Sequence, residues 1–332
     1  MRLRSAMYRR GLLASARVPA MVISVGNLTM GGAGKTPMVL GLARRLLAMG
    51  RHPAIVSRGY GGRITQPVEV VSDGRQVLLA ADHAGDEPCM LARALPGVPV
   101  LVGPKRAEVA RAAILRFGVD TIVMDDGFQH LALGRDLDLV LFSGRSPLGN
   151  GRVFPGGDLR EPWSALARAH GFVITGVDTG NHGAVEELVF RLNAEFPGRP
   201  VFLASYQPVA VVRAGEEGAP LPPQSLLGVP LYGFAGIAQP ESFRRTLLAE
   251  GVSLAGFRGF ADHHSYRSRD VEAVEAAARA SGAQALVATE KDLVKLRGHR
   301  FTLPLWGLRI ELCLEGVFDR FLASRLAVHG KD

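Results

Sequence analysis

The stretch Ser24–Pro37, SVGNLTMGGAGKTP, sets a Lys-Thr pair directly after a run of glycines, the arrangement that cradles nucleotide phosphates. Gly31, Gly32 and Gly34 would let backbone N–H groups turn inward, and a helix starting at the Lys-Thr pair would add its partial positive charge. Lys35 would then reach the β- and γ-phosphates, while the Thr36 hydroxyl would hold Mg²⁺. Thr29 stands where the consensus G-x-x-x-x-G-K-S/T opens with Gly, and Met30 stands where partition-type ATPases carry a Lys, which argues against that class. Thr29, Met30, Gly31, Gly32, Ala33, Gly34, Lys35 and Thr36 form the expected phosphate loop.

Three carboxylate-bearing stretches could complete such a site. Thr121–His130, TIVMDDGFQH, reads as a strand ending in acids, which is where phosphate-loop proteins hold Mg²⁺, so Asp125 or Asp126 is a candidate ligand. Residues 149–163, GNGRVFPGGDLREPW, are rich in helix breakers yet carry Arg160, suited to neutralise charge on a transferring phosphoryl group, and Glu161, suited to a metal shell. Gly85-Asp86-Glu87-Pro88 precedes a helical pattern, and by its own spacing Asp86 reads as an N-cap with Pro88 in the first turn.

Two motifs lie further along. Phe260–Tyr266, FADHHSY, clusters an acid, two imidazoles and a phenol beside a turn, a set suited to acid–base or metal chemistry. Thr289–Asp292, TEKD, follows a strand pattern, so Glu290 and Lys291 could meet a nucleotide base or ribose, or simply start a solvated helix.

The elements needed to position these groups are visible as apolar β-branched runs alternating with helical patterns, the signature of a doubly wound parallel sheet. Strands are expected over residues 21–25, 54–57, 99–102, 121–124, 137–142 and 172–175, and helices over 36–49, 86–95, 105–117 and 184–196. After Pro200 an extended run, 201–212, leads into a Pro/Gly-rich connection, and a second βαβα pattern follows: strands over 231–234, 253–257 and 285–288, helices over 241–249 and 269–280. The expected class is α/β: a P-loop NTPase-like domain over residues 1–200, a two-stranded linker from 201–213 and 304–314, a smaller α/β domain over 214–303, and a C-terminal helix over 315–332 packing back on the first domain. Within the linker, 305–308 and 310–314 read as two late strands.

Composition narrows the function class. At 332 residues with 47% hydrophobic and 21% charged content, the chain is an ordinary globular protein large enough for two cores. The formal net charge is +8, but residues 1–68 hold eleven Lys/Arg and no acid, so the rest of the chain carries a net −3. The first residues, MRLRSAMYRRGLLASARVP, would as a helix over 1–17 show a basic face beside an apolar one, fitting either an anionic membrane surface or the protein's own core. No apolar run approaches the roughly 18 residues that span a bilayer. Cys89 and Cys313 are isolated, which points to a reducing compartment without structural zinc. The basic residues are not interleaved with aromatics as in nucleic-acid binders, so no nucleic-acid partner is expected.

Taken together, these stretches resemble the tetraacyldisaccharide 4′-kinase family of lipid A biosynthesis: SVGNLTMGGAGKTP, SRGYGG at 57–62, GDEP at 85–88, DDGFQH at 125–130, LREP at 159–162, DHHSY at 262–266 and TEKD at 289–292. The resemblance implies ATP and Mg²⁺ as cofactors, a tetraacyldisaccharide 1-phosphate acceptor phosphorylated on its 4′-hydroxyl to give lipid IVA, and no obligate protein partner. It further implies peripheral attachment at the cytoplasmic face of the inner membrane. For Asp86 it implies a general base supported by His263, a dyad completed by domain closure, in place of the N-cap. Lys35 and Arg160 are implied to stabilise phosphoryl charge, and Thr36, Asp125, Asp126 and Glu161 to supply the metal environment. The chain departs from the family's usual PAGPLREP in reading PGGDLREP, with Asp158 before the Leu. The alternative reading is a P-loop ATPase or GTPase switch with DDGFQH as its sensor, although no N-K-x-D base motif follows.

Overall fold

The computed structural model describes residues 7–8, 10–178, 180–215, 219–262 and 264–329, which divide into two compact units, one of residues 1–205 with 312–332 and one of residues 206–311.

In the first unit the chain runs β1 (Met21–Asn27), α1 (Lys35–Ala48), β2 (Pro53–Ser57), β3 (Glu69–Asp73), α2 (Ala81–Ala84), α3 (Asp86–Ala94), β4 (Pro99–Val102), α4 (Arg106–Phe117), β5 (Thr121–Asp125), β6 (Leu137–Ser143), β7 (Gly171–Thr175) and α5 (His182–Glu195). It then enters β8 (Val201–Arg213), which carries it out of the unit. The strand order is β8-β7-β6-β1-β5-β2-β4-β3, every pair parallel except β3 with β4. The strand β3 was not expected from the sequence. Its five residues, EVVSD, lie at the sheet edge with only two apolar side chains among them, too few to register as an apolar run.

β1 lies between β5 and β6, with Val25 opposite both Asp125 and Leu139. The chain order therefore reverses around β1, and open α/β sheets bind ligands at the carboxyl ends of strands at such a switch point. Both faces of the sheet are covered. Val109, Ala110 and Ala113 of α4 pack on Val22, Val56, Ile122 and Met124, while Phe128, Phe142, Phe172 and Leu188 form a second core. Close contact at the centre needs a residue without a side chain: a Cβ on Gly26 would sit 2.5 Å from Phe128 Cβ. Gly26 thus lets the turn after β5 lie across β1, with the Gly127 amide donating to Val25 O at 3.1 Å.

The second unit contains β9 (Leu231–Ala235), α6 (Pro240–Ala249), β10 (Leu254–Gly259), α7 (Ser268–Ala280), β11 (Ala285–Thr289), α8 (Glu290–Lys295) and most of β12 (Leu305–Leu314). Its strand order is β10-β9-β11-β12-β8, with β10, β9, β11 and β12 parallel neighbours. The two late strands expected over 305–314 are one continuous strand, because Arg309, which interrupts the apolar pattern, pairs its guanidinium with Glu290 at 2.6 Å and keeps extended geometry.

β12 returns the chain to the first unit, where α9 (Gly316–His329) packs Phe318 edge-on to Phe202 at 5.1 Å between ring centroids. Asp319 accepts from Arg45 of α1 at 2.7 Å. The amphipathic helix expected over 1–17 falls partly on residues 1–6 and 9, outside the described residues. From Arg10 onward it is not a helix: the chain turns, and Ala16 makes a parallel bridge to Leu133, with Ala16 N donating to Ala132 O at 2.9 Å. Interruption by Gly11 and the available sheet-end partners win over helix propensity there.

Candidate active site

The loop between β1 and α1 forms because Gly34 takes a left-handed conformation, φ 75°, and caps α1 without a side chain, leaving the first-turn amides of the helix for an anion. Lys35 is the first helical residue. Its Nζ donates to Asn27 Oδ1 at 3.1 Å and stands 3.5 Å from Asp126 Oδ1. Asn27, buried at the end of β1, also donates to the carbonyls of Thr29 and Gly31, at 2.8 and 3.3 Å, and so shapes the loop from below. Ala33 is buried, its carbonyl accepting from Thr175 Oγ1 at 3.1 Å, and Thr36 is buried in the first turn.

Thr29, the departure from consensus, is an extended residue that bridges antiparallel to Leu159. Met30 N donates to Asp158 O at 2.6 Å and Arg160 N to Leu28 O at 2.7 Å, so residues 158–160 run alongside the phosphate loop. Asp158, the residue that breaks the PAGPLREP pattern, accepts from Asn150 N at 3.3 Å and helps knit the segment to itself. This pairing delivers Arg160 to the site. Its Nη1 donates to both oxygens of Asp126, at 2.8 and 2.7 Å.

Asp126 is the one non-glycine residue with positive φ, 54°, among the described residues. Aspartate tolerates this region better than most residues but still at some cost, and such strain gathers at functional sites. Burial pushes its carboxyl up, yet Lys35 and Arg160 hold it below the usual carboxylate range. Asp125 behaves oppositely. Burial, with the negative charges of Glu87 and Asp126 beside it, pushes its carboxyl up to about 7 against the pull of Lys35 and a 3.3 Å hydrogen bond from Ser57. Its Oδ1 is buried without a hydrogen-bond partner. Two adjacent acids with opposite shifts, one lacking a partner on one oxygen, suit a hard cation that keeps most of its shell for phosphate and water. Among the described residues no group of three or more His, Cys, Asp or Glu could hold a metal. Mg²⁺ needs only one or two carboxylates when the remaining ligands come from phosphate and water, so Thr36, Asp125 and Asp126 fit it.

Glu161, expected in the metal environment, accepts on Oε2 from Arg168 Nη2 at 2.6 Å, and the Arg168 guanidinium lies 4.4 Å from the Phe128 ring centroid. Asp86 starts α3, where Gly85 is the cap and Asp86 itself occupies the first turn, so its N-cap reading is corrected by one position. Glu87 next to it is close enough to perturb Asp125. Glu290 and Lys291, expected at a nucleotide, lie in the second unit. Glu290 forms a two-pronged pair with Arg309, and Lys291 stands 3.8 Å from Asp262. His263 lies outside the described residues.

One residue escaped the sequence reading. Arg106, at the start of α4, is only 4% exposed, and burial together with the nearby Arg58 pulls its guanidinium down to about 10 against the attraction of Asp126 and Asp125. Its Nη1 donates to Pro104 O at 3.3 Å, but Nε has no hydrogen-bond partner. A buried cation that feels two carboxylates and keeps an unused donor is a candidate site residue. In sequence it is an ordinary charge at a helix start, and no motif marks it.

A family model described as tetraacyldisaccharide-1-P 4′-kinase matches residues 1–327. The chain belongs to this family. It is 43% identical over 331 residues to the tetraacyldisaccharide 4′-kinase of Desulfotalea psychrophila, covering 100% of this chain and 94% of that one. It is 46% identical over 309 residues to the tetraacyldisaccharide 4′-kinase of Anaeromyxobacter sp. strain Fw109-5, covering 93% of this chain and 82% of that one. Among solved structures, an "apo" form of LpxK from Aquifex aeolicus in complex with ATP superposes with a TM-score of 0.77 at 27% identity, over 98% of this chain and 94% of that one. The α/β, P-loop NTPase-like class expected from the sequence is therefore the fold of this 4′-kinase family member, and the switch-protein alternative has less support.

Proposed function

We propose that the protein transfers the γ-phosphoryl group of ATP to the 4′-hydroxyl of a tetraacyldisaccharide 1-phosphate, giving lipid IVA in lipid A biosynthesis. The observation that carries this reading is the convergence of Lys35, Asp126 and Arg160 at the start of α1, which no side chain caps, in a chain of the 4′-kinase family.

The phosphates of ATP lie against the N–H groups of residues 31–36, with Lys35 and Arg160 neutralising charge as the γ-phosphoryl oxygens spread it. Mg²⁺, held by Thr36, Asp125 and Asp126, would shield the phosphate oxygens from one another. Asp86 accepts the proton of the sugar hydroxyl as that oxygen bonds to the γ-phosphorus and the bond to the bridging oxygen of ADP breaks, and His263 supports its basicity. A cavity of about 570 Å³ lined by Arg58, Tyr60, Gln66, Lys105 and Glu108 lies against the turn that leads into Asp86; Lys105 pairs with Glu108 at 2.9 Å, and Arg58 is the cation suited to an acceptor bearing a phosphate. Glu290 and Lys291 are proposed at the nucleotide through their place in the TEKD motif, and Glu161 in the metal environment through its place in the LREP motif.

Attachment would be peripheral, at the cytoplasmic face of the inner membrane, through the basic N-terminal residues on an anionic surface. Among the described residues no helix is long and apolar enough to cross a membrane. The deciding measurement is transfer of labelled γ-phosphate from ATP to a purified tetraacyldisaccharide 1-phosphate in detergent. Labelled lipid product is expected; ATP hydrolysis that is equal with and without lipid, and no labelled lipid, would sink the reading.

A further inference from the structure

The turn that presents Asp86 has no side-chain cap. Gly85 ends α2 and starts α3 with φ 94° and ψ 153°, a conformation reserved for glycine, and a Cβ there would lie 2.6 Å from Tyr60 O. The segment is held from outside, by the loop over residues 58–67 that lines the 570 Å³ cavity. Arg63 N donates to His83 O at 2.8 Å, and Gly62 comes so near that a Cβ would stand 2.4 Å from the same oxygen. Backbone thus lies on backbone, with no side chain between.

One side-chain contact closes this assembly. Glu69, the first residue of β3 and only 8% exposed, accepts on Oε1 from Thr65 N at 2.8 Å and Gln66 N at 2.9 Å, and its Oε2 meets His83 Nε2 at 2.5 Å. A single carboxylate therefore ties the cavity loop to the residue three before Asp86. Burial pushes the Glu69 carboxyl up, but the hydrogen bonds from Gln66, Thr65 and His83 together hold it below its usual range, as for a carboxylate whose acceptors are in use.

We propose that the Glu69–His83 pair is a positioning device that couples the cavity loop to the turn carrying Asp86, setting where that carboxylate stands when an acceptor is bound. The proposal rests on the kinase reading, in which Asp86 takes the acceptor's proton. Glu69 and His83 touch no reacting atom; they act through the 83–85 backbone. Misplacement of a general base by a fraction of an ångström lowers turnover without touching the donor's phosphate contacts, which lie on a different loop.

The test compares full-length wild type with His83→Ala, His83→Gln and Glu69→Gln. His83→Ala is expected to lower kcat about tenfold with the KM for ATP within about twofold of wild type. His83→Gln, whose amide can donate to Glu69 from nearly the same place, should recover most of kcat; Glu69→Gln should fall between. Hydrogen exchange of the amides at residues 83–87 should quicken in His83→Ala and return toward wild type in His83→Gln. Unchanged kcat in His83→Ala, a loss shared equally by ATP affinity, or no rescue by glutamine would each overturn the coupling. A wild type that labels no lipid would instead overturn the kinase reading, and exchange at 83–87 would still judge the clamp.

Discussion

Arg160 grips Asp126 with one nitrogen bonded to both carboxylate oxygens, at 2.8 and 2.7 Å, while Lys35 stands 3.5 Å from the same group. Two cations on one carboxylate are more than structure requires, and both belong to segments that run side by side at the phosphate loop. Asp126 therefore holds two cations side by side at the phosphate loop.

Arg160→Lys keeps the charge but loses the planar fork, so it separates geometry from charge. A fall in kcat of about 10²-fold is expected, with ATP binding little changed, as for removal of one donor aimed at transition-state charge. Wild-type kcat in this variant would return Arg160 to a loop-fastening role.

Thr29 offers the opposite kind of test, since consensus would replace it with glycine. It is extended and bridged to Leu159, with no positive φ to relieve. Thr29→Gly should therefore cost about 1 kcal/mol of stability through unfolded-state entropy and leave ATP affinity no better. Thermal unfolding and nucleotide titration check this; tighter ATP binding would show that the loop is strained at that position.

The parts legible in the sequence were those whose signal is local. Glycine spacing marked the phosphate loop, apolar runs marked β1, β4, β5 and β6, and a strand pattern ending in paired acids marked Asp125 and Asp126. What stayed hidden depends on partners distant in sequence. β3 has too few apolar residues to stand out and exists because β4 offers an edge, and Arg309 breaks an apolar pattern yet sits in a strand because Glu290 is there to meet it. Glu161 reads as a free acid until Arg168, seven residues on, is brought back by the turn at 163–168. Arg106 is invisible for the same reason: the charged groups that act on it, Arg58, Asp125 and Asp126, are distant in sequence.

Arg106 gives a prediction in which stability and activity part company. A buried guanidinium with an unused donor is costly to keep, and replacing such a group with an apolar one of similar length is often neutral or stabilising. Arg106→Met should hold or raise the midpoint of urea unfolding while lowering turnover by about tenfold or more. Loss of both together would make Arg106 a structural residue.

Asp125 supplies the pH dependence. In the unfolded chain its carboxyl titrates near the ordinary 3.8, whereas in the folded protein burial, Glu87 and Asp126 push it up to about 7. Below the unfolded value both states hold the proton and the group contributes nothing. As pH rises from there toward 7, the unfolded state releases a proton that the folded state keeps, so stability falls by about 1.4 kcal/mol per pH unit at most and levels off above 7. Asp125→Asn removes that penalty. Without divalent metal the variant should match wild type near pH 4 and become progressively more stable by pH 7 to 8, while a cation bound at Asp125 should narrow the gap at high pH by stabilising wild type alone. Urea unfolding at pH 4.5, 6 and 8, with and without Mg²⁺ and nucleotide, reads this directly. Parallel curves for the two proteins across that range would mean that the Asp125 carboxyl ionises in the folded state as it does in the unfolded one.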